Sequence, residues 1–152
     1  MDVNLHGAAW MLPGGATNEP LAIHEGRLVR GPTRGGLRLD LRDHRVFPGL
    51  INAHEHLHVN NVPPLPNAVP FANSYAWMEA FEAHFRDPGV ASALAVPKSL
   101  RFRHGALKNL LAGVTCVVHH DPWHPVLDTL DFPVALLRHH GWAYALGWPD
   151  FG

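Results

Sequence analysis

A chain of 152 residues has the length of one ordinary domain, and a content of 47% hydrophobic and 16% charged residues is typical of a folded globular protein. The net charge of -1 gives no attraction to nucleic acid or to an anionic membrane, so both partner classes are set aside. No apolar run approaches the roughly 20 residues of a spanning helix, and a cytoplasmic location is expected. One cysteine excludes an intrachain disulfide, and 13 histidines are the compositional outlier.

The first 45 residues alternate short apolar pieces with turn signals, which predicts a small β module over residues 1–45. Leucines alternate with polar residues over 37–41, as in a half-buried strand. Apolar pieces on both sides of Glu25 and Gly26 predict a hairpin that turns there.

Residues 46–58 read VFPGLINAHEHLH, a short apolar run that passes a Pro-Gly pair and ends in histidines at alternate positions. This pattern predicts a buried strand. Side chains alternate along a strand, so His54 and His56 share one face and Glu55 lies on the other. Two imidazoles on one face suit a metal ion such as Zn²⁺, Fe or Ni, whereas the simpler alternative is a solvated pair of rings. Glu55 is expected to form hydrogen bonds behind the strand.

A proline-rich stretch over residues 60–70 predicts a long loop, which either covers the opening that the histidines face or merely connects two elements. A helix is predicted over 74–85. Its apolar stripe of Met78, Phe81 and Phe85 at helical spacing is interpreted as core.

A second helix is predicted over residues 98–112, because apolar residues recur at helical spacing up to a glycine in the usual stop position. Leu100, Leu107 and Leu111 lie on one side of it, while Arg101 is expected to be solvated.

Beyond that helix, the β-branched run 114–118 predicts a strand buried on both faces, which ends in His119 and His120. A third helix is predicted over 131–140 and a further strand over 142–148. The order of strands and helices is that of parallel βαβ units in an α/β fold. Three strands leave unpaired edges, so the chain is expected to be truncated.

Two motifs resemble those of the amidohydrolase superfamily, in its deaminase and chlorohydrolase-like branch. VFPGLINAHEHLH looks like the signature PGLI/V-D/N-x-H-x-H on the first strand of the barrel. LLAGVTCVVHHD, residues 110–121, is similar to the helix and GVT strand that follow. The two motifs are separated by a loop and a helical region, as in the family.

The resemblance implies that residues 46–152 are the N-terminal part of a (β/α)₈ TIM-like barrel, with about three βα units after the β module. Barrel enzymes place their sites at the carboxyl ends of the strands. On the family pattern, His54 and His56 are the first two ligands of a divalent metal, with Zn²⁺ expected and Fe or Mn as alternatives. The family's two later histidines and its metal-binding aspartate have no counterparts in this sequence.

The implied activity is metal-assisted hydrolysis of a non-peptide C–N bond in a small molecule, such as a cyclic amide, an amidine or a heterocyclic amine. His58, His119 and His120 are assigned to the substrate pocket, although neighbours on a strand face opposite ways, so that at most one of His119 and His120 points inward. No catalytic proton-transfer residue is identified.

Because most of the family's ligands are missing, the chain is expected to be an N-terminal fragment that is inactive alone, and whether it is itself an enzyme is left open. One alternative is half of a split enzyme, completed by another chain. The other is a His-rich, non-catalytic metal-binding or assembly module that forms a homo-oligomer through its exposed sheet edges.

Overall fold

The computed structural model describes residues 1–67 and 69–141, and the chain divides into two compact units, Met1–Pro48 and Gly49–Gly152. Each unit has its own hydrophobic cluster. The strand predicted over 142–148 lies outside the described residues. Within the described ranges, every helix is too short or too polar to cross a membrane.

The first unit is built from short strands in two sheets, and its turns fit the sequence pattern. The predicted hairpin at Glu25 and Gly26 is confirmed, with φ values of 49° and 74° at the two turn residues. Two positive φ values suit the right-handed twist of the strands on either side. The strands are β1 Val3–His6, β2 Ala9–Leu12, β3 Gly15–Thr17, β4 Leu21–His24, β5 Arg27–Arg30, β6 Leu37–Asp40 and β7 Arg45–Val46, in the orders β5-β4-β1-β6 and β3-β2-β7.

The core of the first unit is small and consists of Leu5, Ala8 and Trp10. The strand predicted over 37–41 is present as β6, parallel to β1, but its half-burial was a wrong expectation, because Leu37 is 59% exposed. Alternation locates a strand, whereas burial requires a second layer over one of its faces.

The second unit is a mixed α/β structure around a three-stranded parallel sheet, as the βαβ pattern predicts. The first two strands, β8 and β9, pair in parallel with helices between them in the chain, and the third follows in the order β10-β9-β8. The elements are β8 Leu50–Glu55, α1 Ser74–His84, α2 Pro88–Ala95, α3 Lys98–Leu111, β9 Val114–His119 and β10 Ala135–Leu136, with 3₁₀ helices at Leu57–Val59 and Pro125–Asp128.

Helices α1 and α3 match the sequence prediction, whereas α2 was not predicted. The sequence Asp87-Pro88-Gly89 indicates only the end of α1, but the same residues also start α2. The Asp87 carboxylate accepts the backbone N–H of Gly89 at 2.7 Å, and Pro88 occupies the first helical position. Both are standard signals for the beginning of a helix.

The helix predicted over residues 131–140 is wrong, since this segment forms strand β10. Ala135 pairs with Cys116 of β9, and the N–H of Leu137 donates to the carbonyl of Val117 at 3.0 Å. The buried Val134 joins the core beside the sheet. Pairing with β9 satisfies backbone groups here, and local capping signals do not outweigh it.

Helix α3 packs on the 3₁₀ helix Leu57–Val59 through Gly105. A Cβ atom at this glycine would lie 2.2 Å from the carbonyl oxygen of Leu57, so only glycine permits the approach. Around this contact lies the main core of the unit. Its buried members are Leu57, Phe102, Ala106, Val117, Leu127 and Val134.

The side of α3 that faces the core differs from the one that the leucines suggest. Leu100, Leu107 and Leu111 are exposed, whereas Arg101 is buried, and its expected solvation is therefore wrong. The Arg101 Nη1 donates to the carbonyl of His58 at 2.6 Å. Apolar residues occur on both sides of this helix, so periodicity alone does not select the buried one.

Candidate metal centre

Three histidines meet where β8 and β9 end. His54 lies in β8, His56 is the first residue after the end of β8, and His120 is the first residue after the end of β9. The backbone N–H of His120 donates to the carbonyl of Glu55 at 2.7 Å, which brings the two strand ends together. Parallel strands end at the same edge of a sheet, so side chains that are distant in the sequence converge. We call these three residues the open cluster.

The nitrogen atoms of the open cluster have the spacing that a tetrahedral metal site requires. His54 Nε2 lies 3.1 Å from His56 Nε2, and His120 Nδ1 lies 3.5 Å from the same atom. Zn–N bonds of 2.0–2.1 Å at a tetrahedral angle separate two donors by about 3.3 Å. The residues therefore fit a divalent ion with three imidazole ligands, and His54 is exposed to solvent.

Asp121 orients the central histidine of this cluster. Its Oδ2 atom accepts a hydrogen bond from His56 Nδ1 at 2.7 Å, which leaves the lone pair of a neutral His56 on Nε2. Burial acts to raise the pKa of Asp121, but the His56 hydrogen bond and the nearby histidines outweigh it and hold this pKa below its usual value. The carboxylate is thus charged and fixes the tautomer of His56.

Glu55 lies on the opposite face, and its predicted hydrogen-bonding role behind the strand is confirmed. Its Oε2 atom accepts from the side-chain amides of Asn109 at 2.6 Å and Asn52 at 3.0 Å. Its Oε1 atom accepts from Asn60 at 2.8 Å and from the backbone N–H of His56 at 2.8 Å. This carboxylate therefore holds the strand end in shape rather than facing the open cluster.

His119 points away from the open cluster, as alternation along β9 requires. The residue is 1% exposed, and its ring meets the ring of Phe102 with 5.1 Å between centroids. Burial lowers the pKa of His119 to about 4, so the ring is neutral at physiological pH. One of the two adjacent histidines thus joins the open cluster and the other enters the interior.

A cavity of about 730 Å³ opens beside these residues. His56, His58 and Asn60 are polar members of its lining, whereas His119 and His120 are absent from that lining within the described part of the chain. The rings of Trp77 and Phe81 stack along the apolar wall with 4.8 Å between centroids. The apolar lining consists of Val59, Val62, Pro63, Pro64, Leu65, Trp77, Met78, Phe81 and Phe85, and the remaining charged lining residues are Glu55, Glu82, Lys108 and Asp121.

The aromatic stripe of α1 therefore lies in a different environment from the one that the sequence suggests. Met78, Phe81 and Phe85 line the cavity and are only half-buried, so their interpretation as core is wrong. Helical spacing shows that apolar residues share a face, but not whether that face meets protein or a cavity. The proline-rich loop reaches the same cavity through Pro63 and Pro64.

Comparison with known proteins adds information about the fold. No protein-family model matches the sequence, and no curated protein matches it. A molinate hydrolase shares the fold over 83% of this chain and 25% of its own, with 16% sequence identity and a TM-score of 0.50. An amidohydrolase from an environmental sample of the Sargasso sea matches 82% of this chain and 28% of its own, with 19% identity and a TM-score of 0.44.

This chain thus spans between 25% and 28% of the length of these two neighbours. Sequence reasoning found His54 and His56 through their alternate spacing, but it missed the roles of Asp121 and Asn109. The signal for Asp121 was its place two residues after strand β9, in the polar sequence His119-His120-Asp121. Asn109 carried no such signal, because it lies among apolar residues of a helix.

Proposed function

We infer that this chain contributes the first metal ligands and part of the substrate pocket of an amidohydrolase-type hydrolase. The reaction would be hydrolysis of a non-peptide C–N bond in a small molecule, in the deaminase and chlorohydrolase-like branch of the superfamily. The observation that carries this proposal is the open cluster, in which three imidazole nitrogens converge at the ends of two parallel strands.

The ligand set consists of His54, His56 and His120. Three protein ligands are the usual number for a catalytic zinc ion, and neutral imidazole also binds iron. A bound divalent ion would supply Lewis-acid activation of water and of the scissile group. Zn²⁺ remains the expected ion. His120 adds a third ligand to the two that the motif alone suggests.

The other residues would bind and orient the substrate. The stacked rings of Trp77 and Phe81 offer a flat apolar wall, which suits a planar heterocyclic or cyclic substrate. His58 and Lys108, which also line the cavity, offer hydrogen-bonding groups for its exocyclic atoms. His119 was also assigned to substrate binding, but its buried ring favours a role in the interior, which is developed below.

A (β/α)₈ barrel is proposed as the complete architecture. Two observations support it, namely the parallel β8 and β9 with ligands at their carboxyl ends and the fold shared with molinate hydrolase. In such a barrel, both faces of the sheet are covered, one by the barrel interior and the other by helices. That requirement agrees with the exposure of Leu50 and Ile51 in β8, which are 60% and 68% exposed.

The same exposed residues favour the related hypothesis that another chain, or a second copy, covers this sheet in the active protein. On either hypothesis the 152-residue chain binds metal but turns over little substrate. Glu55 and Asp121 are both committed to hydrogen bonds that hold the site in shape, and neither is available for proton transfer to a leaving nitrogen.

Metal content tests the proposal. The purified chain, loaded with Zn²⁺ and dialysed, is expected to lose an ion when His54 or His56 is replaced by Ala, because each variant removes one of three ligands. His104→Ala, at an exposed histidine of α3, is the matched control and should retain the wild-type content. Equal zinc content in all four proteins would contradict a metal centre at these residues.

A further inference from the structure

A second group of potential ligands lies behind the open cluster. It consists of His58 in the 3₁₀ helix Leu57–Val59, His119 at the end of β9 and Asp121 two residues later, and we call it the inner cluster. One ligand atom from each residue lies within 4.8 Å of the other two. His119 and Asp121 are buried and His58 is half-buried, whereas the open cluster is reached by solvent at His54.

Three of the four imidazole nitrogens of the inner cluster lack a hydrogen-bond partner among the described residues, although one of them, His58 Nδ1, lies 3.4 Å from the Asp121 carboxylate. Within residues 1–67 and 69–141, neither ring nitrogen of His119 has such a partner, and the buried Nδ1 of His58 has none either. The Glu55 backbone interacts with the His119 ring, but this contact falls short of hydrogen-bond geometry, and the Glu55 carbonyl also accepts the backbone N–H of His120 at 2.7 Å. Buried polar atoms in native proteins are almost always paired, so three such nitrogens in one place indicate a bound polar group.

The rings are held firmly around this place. Phe102 lies against both, with centroid distances of 5.4 Å to His58 and 5.1 Å to His119. The backbone at His58 is fixed in turn, because its carbonyl accepts a hydrogen bond from the buried Arg101 at 2.6 Å. A site built from side chains locked by packing loses little entropy when it binds its ligand.

The chemistry of the donors selects a cation. Two imidazoles and one carboxylate are a common donor set for Zn²⁺ and for other divalent transition metals. Asp121 Oδ2 lies 3.4 Å from His58 Nδ1, close to the separation of two ligands on one such ion. The carboxylate also offsets part of the positive charge, which an interior site requires.

We propose that His58, His119 and Asp121 hold a second, structural divalent metal ion, with Zn²⁺ as the probe. The ion gives one nitrogen of each imidazole ring a partner and ties the 3₁₀ helix to the end of β9. Asp121 links this ion to the open cluster, because its Oδ2 also accepts from His56 Nδ1. The proposal is independent of the hydrolase activity inferred above.

The stoichiometry of zinc tests the second site. Equilibrium dialysis with elemental analysis should find two Zn²⁺ ions in the wild-type chain and one in His119→Leu. It should also find one ion in His54→Ala, in which the inner cluster is intact, and two in the exposed control His104→Ala. One ion per wild-type chain that is lost from His54→Ala, or two ions in His119→Leu, would overturn the proposal. The first of these results is also the one expected if buried water satisfies the imidazole nitrogens.

A cysteine substitution provides a readout that does not depend on counting ions. In His119→Cys loaded with Co²⁺, a thiolate ligand should produce a sulfur-to-cobalt charge-transfer band in the near-ultraviolet. The wild-type chain contains Cys116 and serves as the baseline for that band. Absence of the band in a variant with wild-type circular dichroism would contradict a metal contact at position 119. If this variant does not fold, the number of zinc ions bound by the wild-type chain and by His54→Ala decides the question.

Discussion

The open and inner clusters arise from the same two strand ends, yet their environments are opposite. His120 belongs to the open cluster and His119 to the inner one, because successive side chains of β9 point to opposite sides. The open cluster has solvent access and a neighbouring cavity, which suit chemistry on a substrate. The inner cluster packs against the buried ring of Phe102, which suits a structural role. Burial, more than residue type, separates the two functions.

The largest expected effect falls on the open cluster alone. His56→Ala removes the central ligand, and its zinc affinity at this cluster should fall by more than about 100-fold, since loss of an outer-shell partner alone typically costs 10–100-fold. Competition with a chromophoric chelator measures this change. Affinity within threefold of the wild type would show that His56 is not a ligand.

The next effect belongs to the inner cluster and depends on pH. In the metal-free chain, His119 has a folded pKa of about 4, below the value of 6.5 for an unperturbed histidine. The unfolded state therefore binds a proton that the folded state excludes, and stability should fall as pH decreases from about 6.5 to 4, by roughly 3 kcal/mol in total. Urea unfolding in a chelating buffer measures this loss, and His119→Leu should lack that part of the pH dependence. An unchanged slope in this variant would contradict the assignment.

Asp121→Asn tests the connection between the two clusters. The amide cannot orient His56 as a charged acceptor does, so zinc affinity at the open cluster should fall by about 10–100-fold. Affinity at the inner cluster should fall as well, because the substitution removes its only carboxylate. If the variant affects one cluster and leaves the other unchanged, Asp121 does not join them.

Gly105→Ala should have the smallest effect, and it should act on the inner cluster. The new Cβ would meet the Leu57 carbonyl at 2.2 Å and displace the segment that carries His58. Overpacking of this kind costs about 1–3 kcal/mol, which chemical denaturation would detect. Gly141→Ala, in open space, is the matched control. Equal stability of the two variants would show that α3 does not pack on Leu57 as described.

The part of the fold that depends on local pattern was predictable from the sequence. The two longer helices, the parallel pairing of β8 with β9 and the shared face of His54 and His56 all follow from periodicity over several residues. The hairpin at Glu25 and Gly26 follows from turn chemistry. In each case, the signal lies within a single element or turn.

The remaining features depend on contacts between elements, which periodicity does not encode. The segment 131–140 carries helix signals but pairs with β9, and α3 buries Arg101 while its leucines stay exposed. The link from Asp121 to His56 joins residues that are 65 positions apart. Such long-range choices are decided by packing and hydrogen bonding in the assembled sheet.

The most direct test of the central claim is a crystal structure of the zinc-loaded chain with anomalous scattering measured at the zinc edge. We expect a peak bonded to His54 Nε2, His56 Nε2 and His120 Nδ1, at distances of about 2.0–2.1 Å. A zinc-loaded crystal without a peak between these three atoms would contradict a metal centre at the ends of β8 and β9.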